Sequence, residues 1–435
     1  MFGLKRIEDT REHAPSYYAA TAHRKPDYPQ LEGDVQADVA IVGGGFSGVN
    51  TALELAERGY SVVLLEARRI GWGATGRNGG QVLDGIGHNA QQFESQIGAD
   101  GVQAIFNMGV ECCDIVRDRV ATYAIDCDLK WGACDVALRP RHMKAFARAK
   151  AYEEKMGNPH QYELLDKNEI KHYVNSDRYY GGLLNRTGSG HAHPLNLCLG
   201  EAAAAETLGV KVYEQSEVVR IAHGDRPRVH THRGSVLASH VVLCGNAYMG
   251  DLVPELASRV LSANTSVIAT APLPESLARE IMPADLAVCD TRTALDYFRL
   301  STDRRMLFGG LSNYTGLEPR NLAGTMRRKM TQVFPLLAGV DIEYGWSGQV
   351  GVGMNHMPQM GRLQDNVSYI QAFSGHGVAA SHIMARLTAE MISGSPDRFD
   401  IFARIGHRSF PGGKLLRRPA LAVGMAYFKL RDELF

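Results

Sequence analysis

No stretch of the chain approaches the roughly 18 to 20 uninterrupted apolar residues of a membrane-spanning helix. Its first residues, MFGLKRIEDTREHAP, lack an apolar core of signal-peptide length. Neither charge is in excess: 47 Lys and Arg balance 47 Asp and Glu, so no bulk charge argues for nucleic acid. There is no C-x-x-C pair. The seven cysteines, Cys112, Cys113, Cys127, Cys134, Cys198, Cys244 and Cys289, are scattered and odd in number, which reads as buried free thiols in a reducing compartment rather than a disulfide framework. Internal repeats and low-complexity segments are also missing. These absences lead to the expectation of a cytoplasmic globular protein, with the C-terminus as a possible exception, and 435 residues predict two domains.

What is present is concentrated between Asp38 and Glu66. Asp38 to Val42 is a short β-branched run of the kind that forms a buried parallel strand. Gly43, Gly45 and Gly48 follow with the spacing G-x-G-x-x-G. The helical pattern from Phe46 to Arg58 puts Val49, Ala52, Leu53 and Ala56 on one face, and Gly59 stops it. A second strand, Ser61 to Leu65, ends on Glu66, which lies 23 positions after Gly43. This is a dinucleotide-binding βαβ unit: Gly43 for the turn, Gly45 for close approach of a pyrophosphate, Gly48 for helix packing, and the helix N-terminus as the positive pole. Glu66, followed by Ala67 and Arg68, would accept hydrogen bonds from ribose hydroxyls.

The segment Gly71 to Gln81 holds five glycines in eleven residues, which predicts backbone laid against a flat or anionic ligand. Residues 89–189 read as mostly helical, with examples at Gly101 to Thr122 and Arg141 to Met156. His191 and His193 invite a metal, but no Cys, Asp or Glu lies within four positions of either, so no metal site is assigned. Pro194 to Leu208 reads as a helix. Val210 to Tyr213, Val218 to Ile221 and the hairpin Arg228 to Leu243 read as strands, the last running into Gly245. Ser266 to Thr270, Ala294 to Leu300 and Arg305 to Gly309 predict a mixed or antiparallel sheet. A buried strand, Val367 to Ala372, then leads through Ser374-Gly-His-Gly377 into a helix from Val378 to Ile392, a second glycine-led positive pole.

Taken together, these motifs resemble the D-amino acid oxidase and sarcosine oxidase superfamily of FAD enzymes over nearly the whole chain. Residues 73–81, 176–184, His193-Pro-Leu-Asn-Leu, Gly245-Asn-Ala-Tyr, Ser374-Gly-His-Gly, Phe410-Pro-Gly-Gly413 and Tyr427-x-x-x-Arg-Asp432 resemble its gamma-glutamylputrescine oxidase group. The resemblance implies an α/β fold: a Rossmann-like, glutathione-reductase-type FAD domain (35–88, 190–255 and 340–400) and a discontinuous α+β substrate domain with a mixed antiparallel sheet (89–189 and 256–339). Residues 1–34 wrap the outside and 401–435 form a tail. It places Gly43, Gly45, Ser47 and Gly48 at the diphosphate and Glu66, Ala67 and Arg68 at the ribose. Ala74, Thr75, Gly76, Arg77, Asn78, Gly79, Gly80 and Gln81 run beside the ribityl chain and flavin, Val218 meets adenine, and Gly245 lies near the pyrophosphate. Gly375, His376, Gly377 and Val378 face the flavin.

The implied reaction is oxidation of a C–H bond next to an amine, with hydride transfer to the flavin and hydrolysis of the resulting imine. The candidate catalytic residues are His376, Arg299, Tyr297 and Trp346, with Arg299 a fork for a substrate carboxylate. Relatives that bind FAD covalently use a Cys late in the chain; none follows Cys289, so the expected FAD is non-covalent. No Lys lies between Lys211 and Lys329, which leaves oxygen or a quinone open as electron acceptor. A gamma-glutamylated polyamine is the first substrate reading and a cyclic amino acid such as L-pipecolate the second. An NAD-dependent dehydrogenase, or an inert FAD subunit, is the rival class, with Arg68 and Arg69 hinting at a 2′-phosphate. The C-terminal stretch Lys414 to Arg431 is read as a packed tail helix, or else as a peripheral membrane contact.

Overall fold

Strands that are apolar on both faces must lie in a sheet covered on both sides. In the computed structural model, which describes residues 4–6, 10–87, 89–313 and 316–411, the first of two large sheets is of this kind. Its order is Gln359–Gln364, Val367–Gln371, Gly234–Leu243, Gly33–Val42, Val62–Leu65 and Lys211–Tyr213. All of these pairings are parallel except that of Gln359–Gln364. Val39, Ile41 and Leu64 face one core, while Ala40, Val42 and Val63 face the other. Phe46–Glu57 packs on the first face beside Val378–Ile392 and Pro194–Thr207, with Glu94–Thr122 against Val378–Ile392.

The second sheet runs Ile342–Val352, Leu261–Thr270, Met306–Asn313, Tyr297–Leu300, Ala287–Asp290, Lys130–Val136, Gly182–His191 and Gln81–Val82. Only the pair Ala287–Asp290 and Lys130–Val136 is parallel along this path. Its back face carries Val288, Phe298 and Phe308 into a separate core with Met330 and Phe334 of the segment around Leu322–Val333. Its front face is defined by a row of cross-strand partners: Leu183, Asp135, Cys289, Tyr297, Gly309, Val267 and Trp346. Val267 and Trp346 share a core with the helices of the first sheet, so this front face looks toward the nucleotide-binding half.

The domain boundaries shift in three places. Ile342–Val352 pairs with Leu261–Thr270, so the second sheet claims the chain beyond 340 and the return to the first sheet comes only at Gln359. Gln81–Val82 pairs with Gly190 and His191, so the glycine-rich segment ends in the second sheet. Residues 89–189 contain the strands Lys130–Val136, Tyr162–Leu165 and Gly182–His191 as well as two long helices, and Glu94–Thr122 packs on the first domain. The N-terminal segment does more than wrap: Tyr17 and Tyr18 are buried, and Tyr18 lies edge-on to Trp346. No helix among the described residues is long and apolar enough to cross a membrane, and the expected tail helix at 414–431 lies outside them.

Two buried polar knots tie the helices together. In the first, Glu54 receives Arg58 at 2.6 Å, Arg386 at 3.0 Å and Arg119, joining Phe46–Glu57, Val378–Ile392 and Glu94–Thr122. In the second, Glu201 accepts from Asn50 at 2.9 Å and pairs with His382 at 2.7 Å, joining the same first two helices to Pro194–Thr207. Burial works to raise the Glu54 carboxyl, but the arginines, Arg119 first, hold it below its usual range. Its stabilising contribution is therefore complete above the unfolded-state value near ~4.3 and is lost as pH falls through the lower folded value. Glu54→Gln is expected to cost about 3 kcal/mol near neutral pH, since it leaves buried guanidinium charge unpaired. In urea titrations the gap to the wild type should narrow as pH drops below ~4.3; a gap constant from pH 7 to 3 would contradict this role.

Candidate cofactor and active site

Doubly wound sheets bind ligands at the carboxyl ends of their strands. Here those ends border a groove of about 1260 Å³. Val42 leads into Gly43, whose φ of +110° turns the chain, and Gly45 caps the helix that begins at Phe46. Leu243 leads to Cys244 and Gly245, and Gln371 leads through Phe373 and Gly375 to Gly377, which caps Val378–Ile392. Gly43, Gly45, Ser47, Gly245, Gly375, Gly377 and Val378 all lie on the wall of this one groove. The first turns of both helices, whose N–H groups have no intrahelical acceptor, thus open into the same space.

Glu66, Ala67 and Val218 line the far end of the groove. The Glu66 carboxylate accepts the Gly44 N–H at 2.6 Å and the Arg68 N–H at 2.8 Å. Burial pushes this carboxyl above its usual range while the two amides draw it back. The Arg68 side chain is off the wall, near Glu217. Gly48 is also off the wall: it packs the helix on the turn, and a Cβ there would collide with the Gly43 carbonyl oxygen.

The glycine-rich segment is a folded shelf rather than a loose loop. Ala74, Thr75 and Asn78 reach the groove, and Thr75 Oγ1 accepts the Phe46 N–H at 3.1 Å. Asn78 donates to the carbonyls of Ala74 and Thr75 and accepts the Gly80 N–H at 2.7 Å. Gly76 packs on Gly71, and Arg77 turns inward, donating to the Trp72 carbonyl and stacking 4.3 Å over its ring. Gly79 and Gly80 press on Tyr297 and Arg299. Gln81 donates to the Val288 carbonyl and accepts from the Cys289 thiol at 3.1 Å. The wall also includes Trp72, Asn246, Tyr248 and Met249, which sequence reasoning did not assign singly; for the first three the signal was their place in the two quoted motifs, Gly71 to Gln81 and Gly245-Asn-Ala-Tyr, and Met249 directly follows the second.

The four candidate catalytic side chains occupy different layers. Tyr297 is half-buried on the front row, its hydroxyl 3.3 Å from Thr265 Oγ1, and burial raises its pKa. Trp346 is buried and donates through Nε1 to the Arg77 carbonyl at 3.0 Å, so it braces the shelf from behind. His376 lies between the two groove glycines, but its Nε2 is 2.8 Å from the Asp84 carbonyl oxygen, which makes Nε2 the protonated nitrogen and pins the ring away from the groove. Arg299 is the clear departure from expectation. It is 3% exposed, donates to the carbonyls of Gly79, Ala192 and Leu300, and meets the Tyr18 hydroxyl at 3.3 Å. It holds backbone in place and does not offer a fork to a carboxylate. His193 caps Pro194–Thr207 by accepting the Asn196 N–H, and His191 lies 3.2 Å from Asp285.

A family model described as "FAD dependent oxidoreductase" matches residues 38–391. The chain belongs to this FAD-dependent oxidoreductase family. It is 44% identical over 424 residues to the gamma-glutamylputrescine oxidoreductase of Escherichia coli (strain K12), covering 97% of this chain and 99% of that one. It is 36% identical over 429 residues to the probable oxidoreductase OrdL of Haemophilus influenzae, covering 97% and 98%. Among solved structures, glycine oxidase from Geobacillus kaustophilus superposes with a TM-score of 0.70 at 21% identity, over 86% of this chain and 100% of that one. L-proline dehydrogenase from P. horikoshii gives 0.68 at 21%, over 86% and 98%. At such identities the likeness is one of fold.

The groove of this FAD-dependent oxidoreductase fits its cofactor in chemistry. A Cβ on Gly45 would sit 2.9 Å from Thr75 Oγ1 and fill the cradle at the first helix. Two positive poles suit a diphosphate and an electron-rich ring, and a buried carboxylate suits hydroxyl donors.

Proposed function

We propose that the protein oxidises the terminal C–H next to the primary amine of a gamma-glutamylated polyamine, with gamma-glutamylputrescine as the first candidate, to an imine that water hydrolyses to an aldehyde. The observation that carries this reading is full-length identity of 44% to an enzyme of that name. The engagement of Arg299 by backbone carbonyls supports it over L-pipecolate. An α-amino acid would need a cation for the carboxylate beside its reacting carbon, whereas a gamma-glutamyl carboxylate lies many bonds away.

Bound FAD supplies the two-electron acceptance. Of the chain's own groups, Gly43, Gly45 and Ser47 would hold the diphosphate, with Gly245 alongside. Glu66, with Ala67, would accept from the ribose, and Val218 would meet adenine. Ala74, Thr75 and Asn78 would support the ribityl chain, and Gly377 and Val378 would direct their N–H groups at the ring. Tyr297 would form the substrate-side wall, with Trp346, Arg299 and His376 as positioning residues that fix the shelf and the second helix turn.

The test is anaerobic mixing of the yellow holoenzyme with gamma-glutamylputrescine and, separately, with L-pipecolate, followed by admission of air. Bleaching by the first and not the second is expected; bleaching only by L-pipecolate would overturn the reading. Rapid recoloration in air would assign oxygen as acceptor, and persistence of the bleached state until a quinone is added would assign the alternative.

A further inference from the structure

The chain from Asp84 to Gly87 touches both the end of the FAD groove and a second cavity. The Asp84 carbonyl accepts His376 Nε2 at 2.8 Å, and His376 stands between Gly375 and Gly377 of the groove wall. A Cβ on Gly85 would lie 3.9 Å from that nitrogen. Asp84, Gly85 and Gly87 also line the second cavity, of about 1100 Å³, whose other walls come from the helices Glu94–Thr122 and Pro140–Met156. The loop is held in place there. Gly85 donates its N–H to the Gly109 carbonyl at 2.8 Å, and a Cβ on Gly109 would lie 2.9 Å from the Gly85 Cα. The cavity is therefore a formed space beside the second helix pole.

Among the described residues, the charged groups on its wall are Asp84, Arg148 and Glu153. Asp84 is already satisfied, accepting from Tyr162 at 2.6 Å, from Ser189 at 2.7 Å and from Asn185 at 3.4 Å. Arg148 and Glu153 lack ionic partners. No described carboxylate or carbonyl accepts from the Arg148 guanidinium, although Lys150 on the same helix pairs with Glu154. The Glu153 carboxylate accepts from Asn158 at 2.8 Å and meets no described cation. Burial pushes this carboxyl above its usual range, Asn158 draws it back, and the Asp84 charge pushes it up again. A cation beside Glu153 would relieve that cost, and an anion beside Arg148 would complete an ion pair. The two stand on one helix, about 7.5 Å apart along its axis, close enough for long side chains to converge on the substituents of one carbon. An amino acid zwitterion carries both charges in that way. A diamine would leave Arg148 unmatched, and a dicarboxylate would meet Glu153 and Asp84 as like charges.

We propose that this cavity is a subsite for the free α-amino acid head of a gamma-glutamyl substrate, with Arg148 taking the α-carboxylate, Glu153 the α-ammonium, and the far amine passing Gly85 to the flavin groove. The assignment rests on the amine-oxidising reading above and deepens it. It supplies the remote cation that Arg299, engaged by backbone carbonyls, does not. From the α-carbon of gamma-glutamylputrescine to the carbon beside its primary amine, the extended chain measures about 10 Å. The Gly85 backbone and the His376 ring lie between cavity and groove, a separation such a chain spans. Arg148 and Glu153 select the substrate, and neither touches the reacting atoms.

The test compares two amines that differ only in the head. Gamma-glutamylputrescine carries both α charges; N-butanoylputrescine keeps the amide, the methylenes and the primary amine but has neither. In Arg148→Gln and in Glu153→Gln holoenzyme, KM for gamma-glutamylputrescine should rise roughly 10-fold, the loss of one charge-assisted hydrogen bond. Its kcat should hold, because the contact is the same in ground and transition states. KM for N-butanoylputrescine should not move. Equal shifts for the two amines, or no shift for either, would overturn the assignment, and a shift in one variant alone would overturn the zwitterion geometry. The wild type gives a second readout should a variant fail to fold: its preference for gamma-glutamylputrescine should narrow as salt rises, since Arg148 is exposed. Absence of any preference contradicts the proposal. Should neither amine bleach the wild type, the substrate reading falls while the cavity can still be decided by calorimetry. Binding of gamma-glutamyl-n-butylamide but not N-butylbutanamide, weakened in Arg148→Gln, keeps the subsite; binding of neither ends it.

Discussion

Gly48→Ala is expected to yield protein that purifies with little or no flavin. The added Cβ meets the Gly43 carbonyl oxygen, which is backbone of the turn and cannot rotate aside as a side chain would. Relief requires Phe46–Glu57 to lift from the strand, and the same turn carries Gly45 and Ser47 on the groove wall. Overpacking of this kind costs about 1 to 3 kcal/mol, so FAD affinity should fall roughly 10- to 100-fold. Gly339→Ala is the control, because nothing lies within 4 Å of its Cβ position. Equal flavin content in the two variants, measured by absorbance after gel filtration, would show that close packing at Gly48 does not govern the cradle.

The second large effect is expected at Arg299. Arg299→Met leaves the carbonyls of Gly79, Ala192 and Leu300 without their buried donor and should destabilise the holoenzyme by about 3 kcal/mol. Arg299→Lys should recover only part, since one ammonium cannot span three carbonyls in different directions. The thermal midpoint followed by flavin release should drop in both variants. If Arg299 instead gripped the substrate, Arg299→Lys would keep that midpoint and raise KM alone.

How far the sequence speaks depends on how local each feature is. The βαβ unit from Asp38 to Leu65 and the helix Val378–Ile392 were legible because strand, glycine turn and helix are adjacent in the chain, while the first half of the strand Gly33–Val42 was not. Lys130–Val136 was not, because only Cys134, Asp135 and Val136 alternate between buried and exposed, too short a run to signal a strand inside a stretch read as mostly helical. Gly182–His191 was hidden for another reason, its glycines and polar residues being buried by partners on both sides. Arg299 and His376 illustrate the other limit: residue type showed that they had donors to offer, but only the fold reveals that those donors meet the carbonyls of Gly79, Ala192 and Asp84. The boundary near 340 failed because a strand carries no mark of which sheet it joins.

The knot at Glu54 also bears on the order of events in biosynthesis. Glu54 and Arg386 lie 332 residues apart. A ribosome therefore delivers one jaw of the FAD clasp 332 residues before the other. Nascent polypeptide lacking the later jaw has the Gly43 turn but no closed receptacle, so flavin loading waits for long-range closure of the chain.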